Sequence, residues 1–278
     1  MTELDALAPG IAGRWTHENV VVELDDTLPA GSITVARDSV ELVIRHDLNS
    51  SHIGEKLVAK ITAMDLTQRE FELVMVGLVR STVPDPVEAW TTYYRNSIDD
   101  LLSGASDFAP VHTRAEALVV GSVLDLGSCF GFFPLRLALR GVQVTATDLS
   151  EGTMRLLSTV APHLGVTLDV ITCDAAGIPV ADKSADTVTA LHLLEHVDDE
   201  LGARILGEAI RIARRRVIVA VPFEAEATAC HGHIRTFDSS SLHTVGASTG
   251  LPFEVDEHHG GWLVLDTSRT RVFDTATV

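Results

Sequence analysis

Cysteine is scarce in this chain: 278 residues contain three, Cys129, Cys173 and Cys230, and no pair has CxxC spacing. So small and odd a set argues against a disulfide framework and fits a reducing compartment. Positive charge is also short. Lys and Arg number 21 against 39 Asp and Glu, giving a formal net charge of -18. The summed field repels nucleic-acid phosphates and anionic membrane surfaces, so no nucleic-acid partner is expected and small molecules or neutral glycans are the better candidates. Long apolar runs are missing as well. Stretches such as 115–123 and 217–223 fall far short of the roughly 20 residues of a membrane helix. The opening MTELD has neither the basic region nor the apolar region of a signal peptide. The expectation is a cytoplasmic, soluble protein with no membrane insertion.

What the chain does have is enough apolar residue, 46%, to bury a full core. Over residues 12–48, short β-branched runs at 20–22, 33–35 and 40–44 alternate with turn-formers, which reads as antiparallel strands. Helical spacing follows over 67–83, and a second helix is expected after Pro84-Asp85-Pro86 through Leu102. Residues 104–107 (GASD) resemble a hinge, so residues 1–104 form an N-terminal α+β extension, expected to recognise the acceptor or act as a lid.

From about residue 115 the pattern becomes strands alternating with helices. Strands are expected near 122–126, 142–147, 168–173, 187–191 and 217–221, and a hairpin near 253–257 and 262–265. Crossover-length helical segments between strands imply parallel pairing with helices on both faces. The expected fold over 105–278 is therefore α/β, a Rossmann-like, doubly wound sheet of seven strands ending in an antiparallel hairpin.

The strongest chemical signal is Val123-Leu124-Asp125-Leu126-Gly127-Ser128-Cys129-Phe130-Gly131, a strand running into a glycine-bearing turn and then a helix. The turn lacks GxGxxG and has an acid two residues before its first glycine. A carboxylate there is poorly placed for a pyrophosphate and well suited to a ligand carrying an ammonium and a sulfonium. Asp148 closes the second strand 148 − 125 = 23 positions later, where an acid can accept hydrogen bonds from ribose hydroxyls. Asp174 ends the third strand, where it can accept from an adenine amino group. Each acid alone is more readily a helix cap; three at consecutive strand ends are not.

These residues, with the run SADTVTALHLLEHV at 184–197, resemble the class I S-adenosylmethionine-dependent methyltransferases, whose fourth strand typically reads FDxVxxxxxLEHV. The likeness spans about residues 108–267. It implies that Gly127, Ser128 and Gly131 border the methionine moiety, Asp148 the ribose, Asp174 and Ala175 the adenine, that Leu191 lines the methionine side, and that Leu149 is a further cofactor-binding residue. S-adenosyl-L-methionine is the implied cofactor. Cys129 stands where the family usually has a third glycine, so a thiol side chain must be accommodated and the local backbone can differ. The segment GSCFGF at 127–132, with HGHIRTFD at 231–238, is further similar to actinobacterial methyltransferases that cap the mycofactocin oligosaccharide, which implies O-methylation of a glucose hydroxyl.

Acceptor contacts are expected after the fourth and fifth strands, because ligands of open α/β sheets lie beyond the strands' carboxyl ends. Those segments carry His192, His196, His231 and His233. A sugar hydroxyl benefits from a base near neutrality, so His231, His233 and then His196 are the candidate catalytic residues. The bland alternatives are that Glu195 and His196 cap and pack the next helix, and that His231 and His233 sit exposed in a polar loop. Cys230, His231 and His233 have no standard closed-site spacing, so no metal is expected. The basic run Arg211, Arg214, Arg215 and Arg216 reads as cations at a helix C-terminus. Tyr93, Tyr94 and Arg95 read as packing residues, or more sharply as a lid. A nicotinamide-dependent oxidoreductase and a non-catalytic S-adenosylmethionine-binding protein remain the competing functions.

Overall fold

Residues 4–54, 56–228 and 232–268 are described by a computed structural model of the chain. Two compact units emerge, Met1–Ala109 with Arg155–Val166, and Pro110–Met154 with Thr167–Thr228 and the chain from His233. The units therefore interleave along the sequence instead of following one another.

In the first unit, β1 (Arg14–His17), β2 (Val20–Leu24), β3 (Ile33–Arg37) and β4 (Leu42–His46) form a sheet in the order β1-β2-β4-β3. The outer pairs are antiparallel hairpins, but β2 and β4 run parallel, with Val20 opposite Leu42. This corrects the all-antiparallel expectation. Two hairpins can join through either pair of edges, and here the two strands with the most buried residues, Val20, Val21 and Val22 of β2 and Leu42 and Ile44 of β4, meet in the middle.

Helices α1 (Lys56–Thr62), α2 (Gln68–Thr82) and α3 (Pro86–Ser103) complete this unit. A capping box between Thr67 and Glu70 starts α2, and Asp85 with Pro86 at the first helical position starts α3. Gly77 lets α2 press onto the sheet, since a Cβ there would meet Val22 Cγ2 at 2.3 Å. Gly104 ends α3 at φ +80, a helix cap where the sequence suggested a hinge. Tyr93 and Tyr94 are buried in α3, as packing residues are.

The second unit opens with α4 (Ala109–Leu118), a helix the sequence did not announce. Its core is a seven-stranded sheet of β5 (Val123–Leu126), β6 (Val144–Asp148), β7 (Asp169–Thr172), β8 (Ala185–Leu191), β9 (Ala213–Val221), β10 (Phe253–Glu257) and β11 (Gly261–Asp266). The order is β10-β11-β9-β8-β5-β6-β7, parallel except for β11, which is antiparallel to both of its neighbours. Between the strands in sequence lie α5 (Phe132–Leu139), α6 (Glu151–Val160), which from Arg155 is counted with the first unit, α7 (Asp199–Ile212) and α8 (Ser239–Ser248).

Alternation along the strands divides the core between two faces. Val217, Val219 and Val221 pack with Ile205, Leu206, Ala209 and Leu242 of α7 and α8, while Ile218 and Ala220 pack with Val111, Ala115, Phe133 and Leu137 of α4 and α5. The sheet is doubly wound, as the strand-helix alternation predicts. Strand order reverses between β5 and β8, which sets a crevice at their carboxyl ends.

One local expectation fails in this unit. α7 ends at Ile212, and only Arg211 lies in its last turn; Arg214, Arg215 and Arg216 belong to β9. The backbone turns extended at Ala213, which pairs with Ala185, and two of the guanidiniums find partners near the start of the strand. Arg214 donates to the Ser184 carbonyl and Arg216 to the Leu118 carbonyl.

Candidate functional site

The loop after β5 is built by three left-handed residues in five, Gly127 (φ +65), Cys129 (φ +50) and Gly131 (φ +75), the last capping α5. Cys129 thus keeps the backbone conformation a glycine would take, at a steric cost of about 1–2 kcal/mol. At Gly127 a Cβ would stand 2.7 Å from Leu193 Cδ1. Gly127→Ala is expected to lower stability by about 1–2 kcal/mol, the left-handed penalty plus whatever Leu193 cannot yield. Denaturant unfolding measures it, and an unchanged midpoint would mean the loop rearranges freely.

Asp125 lies beneath this loop and is 3% exposed. Thr189, its register partner on β8, donates to Oδ1 at 2.5 Å, and Ser128 donates to Oδ2 at 2.7 Å. Burial pushes the carboxyl up to about 6, against the lowering effect of the two hydroxyl donors. Within the chain, Oδ2 holds Ser128 in the turn and Oδ1 ties β5 to β8 through Thr189.

Asp148 ends β6 half-buried and binds the same loop, its Oδ2 accepting from the Cys129 amide at 2.8 Å and its Oδ1 from the Ser150 amide at 2.8 Å. Ser128 is thus bonded to Asp125 and Thr147, and Cys129 beside it to Asp148. Beside it, Leu149 is 77% exposed, an apolar surface at a polar strand end. Asp174 follows β7 and is exposed, with Oδ1 accepting from the Ala176 amide at 2.8 Å. Ala175 and Leu191 are half-buried, packed against the cores on opposite faces of the sheet.

The histidines gather after β8 and β9. His192 takes a left-handed φ of +53, and the 3-10 turn Leu194–His196 follows. Asp198, not Glu195 or His196, caps α7, accepting from the Leu201 amide. Glu195 is instead fully buried, and His192 Nδ1 lies 3.1 Å from its Oε1. The loop from β9 is tied down on this turn: the Ile234 amide donates to the Glu195 carbonyl at 2.9 Å and Arg235 Nε to the Leu194 carbonyl at 2.8 Å. Arg235 reaches there across Gly202, pairing with Asp199 and lying 4.5 Å over the Phe237 ring.

His233 is not an exposed loop residue. Its side chain is 9% accessible, Nδ1 lies 2.7 Å from Glu224 Oε2, and its ring stands edge-on to His196 at 4.9 Å. Burial raises the Glu224 carboxyl, yet hydrogen bonds from His233 and Thr228 more than offset this and hold it below its ordinary value. Glu224 and Thr189 escaped the sequence reading. Glu224 had a signal, an acid just past the fifth strand, whereas Thr189 had none outside the strand register. His231, with Cys230, lies outside the described residues.

A separate depression of about 710 Å³, bordered by Ser122, Gln143, Asp186 and Arg214, opens at the amino ends of the strands. Its carboxylate is already paired, Asp186 with Ser122 and Arg214, and it lies away from every loop described above.

The fold is that of the Rossmann-like methyltransferases. Residues 124–221 match the profile of the family described as Methyltransferase domain. The ubiquinone biosynthesis O-methyltransferase of Chromobacterium violaceum is 31% identical over 106 residues, covering 34% of this chain and 45% of that protein. Its counterpart from Bordetella pertussis is 30% identical over 111 residues, covering 34% and 44%. The chain thus spans less than half the length of these relatives. Among solved structures, the PH0226 protein of Pyrococcus horikoshii superposes with a TM-score of 0.50 at 16% identity, covering 60% of this chain and 92% of that one. Among the described residues, no helix is long and apolar enough to cross a membrane.

Proposed function

We propose that the chain is an S-adenosylmethionine-dependent methyltransferase acting on a hydroxyl of a small molecule or glycan. The observation that carries this is the series of acids, Asp125, Asp148 and Asp174, toward the carboxyl ends of the neighbouring strands β5, β6 and β7, beside the Gly127–Gly131 turn. The match of residues 124–221 to a methyltransferase domain supports it, as does the likeness to two proteins named O-methyltransferases.

The residues fit the cofactor. Each Asp148 oxygen accepts one amide and keeps a second lone pair for a ribose hydroxyl. Leu149 offers an apolar face for a purine next to that carboxylate, and Asp174 is free on its outer side for an amino group. Asp125 acts through Ser128, holding the turn in shape. When bound, the cofactor supplies a methyl group activated by a sulfonium. The chain's own part is to hold an acceptor oxygen in line, roughly 3–3.5 Å from that carbon, and to take its proton away. His231, which lies beyond the described residues, His233 and then His196 are the candidates for that second task on the acceptor side. Residues 1–104 select the acceptor. A glucose hydroxyl of the mycofactocin oligosaccharide is the finer reading, supported by the resemblance of segments 127–132 and 231–238, and the odd, sparse cysteine set supports a cytoplasmic setting.

Removing the ribose contact is the direct test. Asp148→Ala is expected to weaken S-adenosylhomocysteine binding by about 1.5–3 kcal/mol, tenfold or more, by calorimetry. Unchanged affinity in a folded variant would remove Asp148 from the site. A parent protein that binds NAD and not S-adenosylhomocysteine would overturn the reading in favour of an oxidoreductase.

A further inference from the structure

Glu195 poses an electrostatic problem that the fold leaves open. The side chain is wholly buried, and among the described residues neither carboxylate oxygen accepts a hydrogen bond. His192 Nδ1 comes within 3.1 Å of Oε1, but without hydrogen-bond alignment. A buried carboxylate without donors is strongly disfavoured unless a cation compensates it. Next to it stand two imidazoles. One ligand atom each from Glu195, His196 and His233 lies within 4.8 Å of the others.

We propose that Glu195, His196 and His233 hold a single divalent transition-metal ion. Three features beyond proximity support this. The Glu224 carboxylate engages Nδ1 of His233, the arrangement that fixes a metal-binding imidazole and leaves Nε2 as its ligand atom. The 3-10 turn presents Glu195 and His196 side by side, while the Ile234 and Arg235 bonds hold the His233 loop onto that turn. Ligands about 2.1 Å from a tetrahedral ion stand about 3.4 Å apart, so atoms within 4.8 Å of one another need to close by at most about 1.4 Å. Two imidazoles and a carboxylate suit zinc, iron(II) or manganese and leave at least one coordination position open.

The role of the ion rests on the methyltransferase reading. An acceptor hydroxyl at the open position has its pKa lowered by the metal, and its proton leaves to solvent water. The acceptor oxygen then attacks the methyl carbon with its electron pair as the methyl–sulfur bond breaks, the electrons of that bond going to sulfur and S-adenosylhomocysteine leaving. His233 is a ligand in this scheme and takes no proton itself.

The test uses tag-free full chain, stripped with a chelator, dialysed and titrated with zinc chloride or manganese chloride alone by calorimetry. S-adenosylhomocysteine binding is measured in parallel. Saturation at one ion per chain is expected. His196→Ala and His233→Ala should each weaken it at least about tenfold, and Glu224→Gln by about 10–100-fold, because that residue only orients its ligand. His196 is exposed, so its variant tests the site without disturbing the core, and thermal melting checks all three. No saturable binding, or binding unchanged in the His196→Ala and His233→Ala variants, overturns the metal site. If such a protein still binds S-adenosylhomocysteine, the methyltransferase reading stands alone. One ion bound without S-adenosylhomocysteine binding upholds the site and removes that reading instead.

Discussion

His233→Ala is expected to lose about 10²–10⁴-fold in methyl-transfer turnover, the range seen when a group that removes the acceptor's proton is deleted. His233 is firmly oriented, with Nδ1 held 2.7 Å from Glu224 and its ring against His196. The variant should keep its affinity for S-adenosylhomocysteine, since none of the described hydrogen bonds of the Gly127–Gly131 turn involves it. Turnover is read as S-adenosylhomocysteine release against a panel of glucosides and phenols. Two further readouts separate the possible roles. If His233 is a base, residual activity rises with pH as the acceptor ionises, and chelation leaves the parent active. If it is a ligand, chelation silences the parent and added zinc or manganese restores it. Near-parental turnover in the His233→Ala and His196→Ala variants alike would mean that positioning alone drives the transfer.

The stability of the second unit should carry the signature of Asp125. Its folded pKa, about 6, lies above its unfolded value of 3.8. The native state therefore holds the proton more tightly, and the stability this contributes is complete below about pH 4 and lost as pH rises through about 6. Over that window the loss amounts to roughly 3 kcal/mol. Other carboxyls work in the opposite direction, Glu70 foremost, where the ion pair with Arg37 holds the carboxyl down at about 2. The isolating measurement is a difference. Urea unfolding of the parent and of Asp125→Asn, compared at each pH, should diverge between about pH 4 and 6 and run parallel above it. Curves parallel throughout would show that Asp125 titrates as an ordinary carboxylate, and that the Thr189 and Ser128 hydroxyls compensate fully for its burial.

The strands, their parallel pairing and the antiparallel hairpin of the second unit were legible because they are local patterns. Apolar runs of strand length separated by crossover-length helices have few alternative packings, and acids at successive strand ends recur at intervals a reader can count. Gly127, Asp148 and Asp174 could be found that way. The helix α4 escaped because its pattern is weakly amphipathic and runs straight into β5. The basic residues 214–216 were misplaced because nothing in their charge tells a helix end from a strand start; the pairing of Ala213 with Ala185 decides it.

By itself, then, the amino-acid sequence determined the doubly wound sheet and the position of acids at the mouths of its strands. The tertiary structure alone decided the parallel union of β2 with β4, because either edge of a hairpin can accept a partner and only packing chooses. It decided that Cys129 stays in the left-handed region, since the Asp148 carboxylate captures its amide from 19 residues away. It also decided the assembly of Glu195, His196, Glu224 and His233. Those residues are brought together by backbone bonds between two loops, and such closure has no period or spacing that a linear reading can detect.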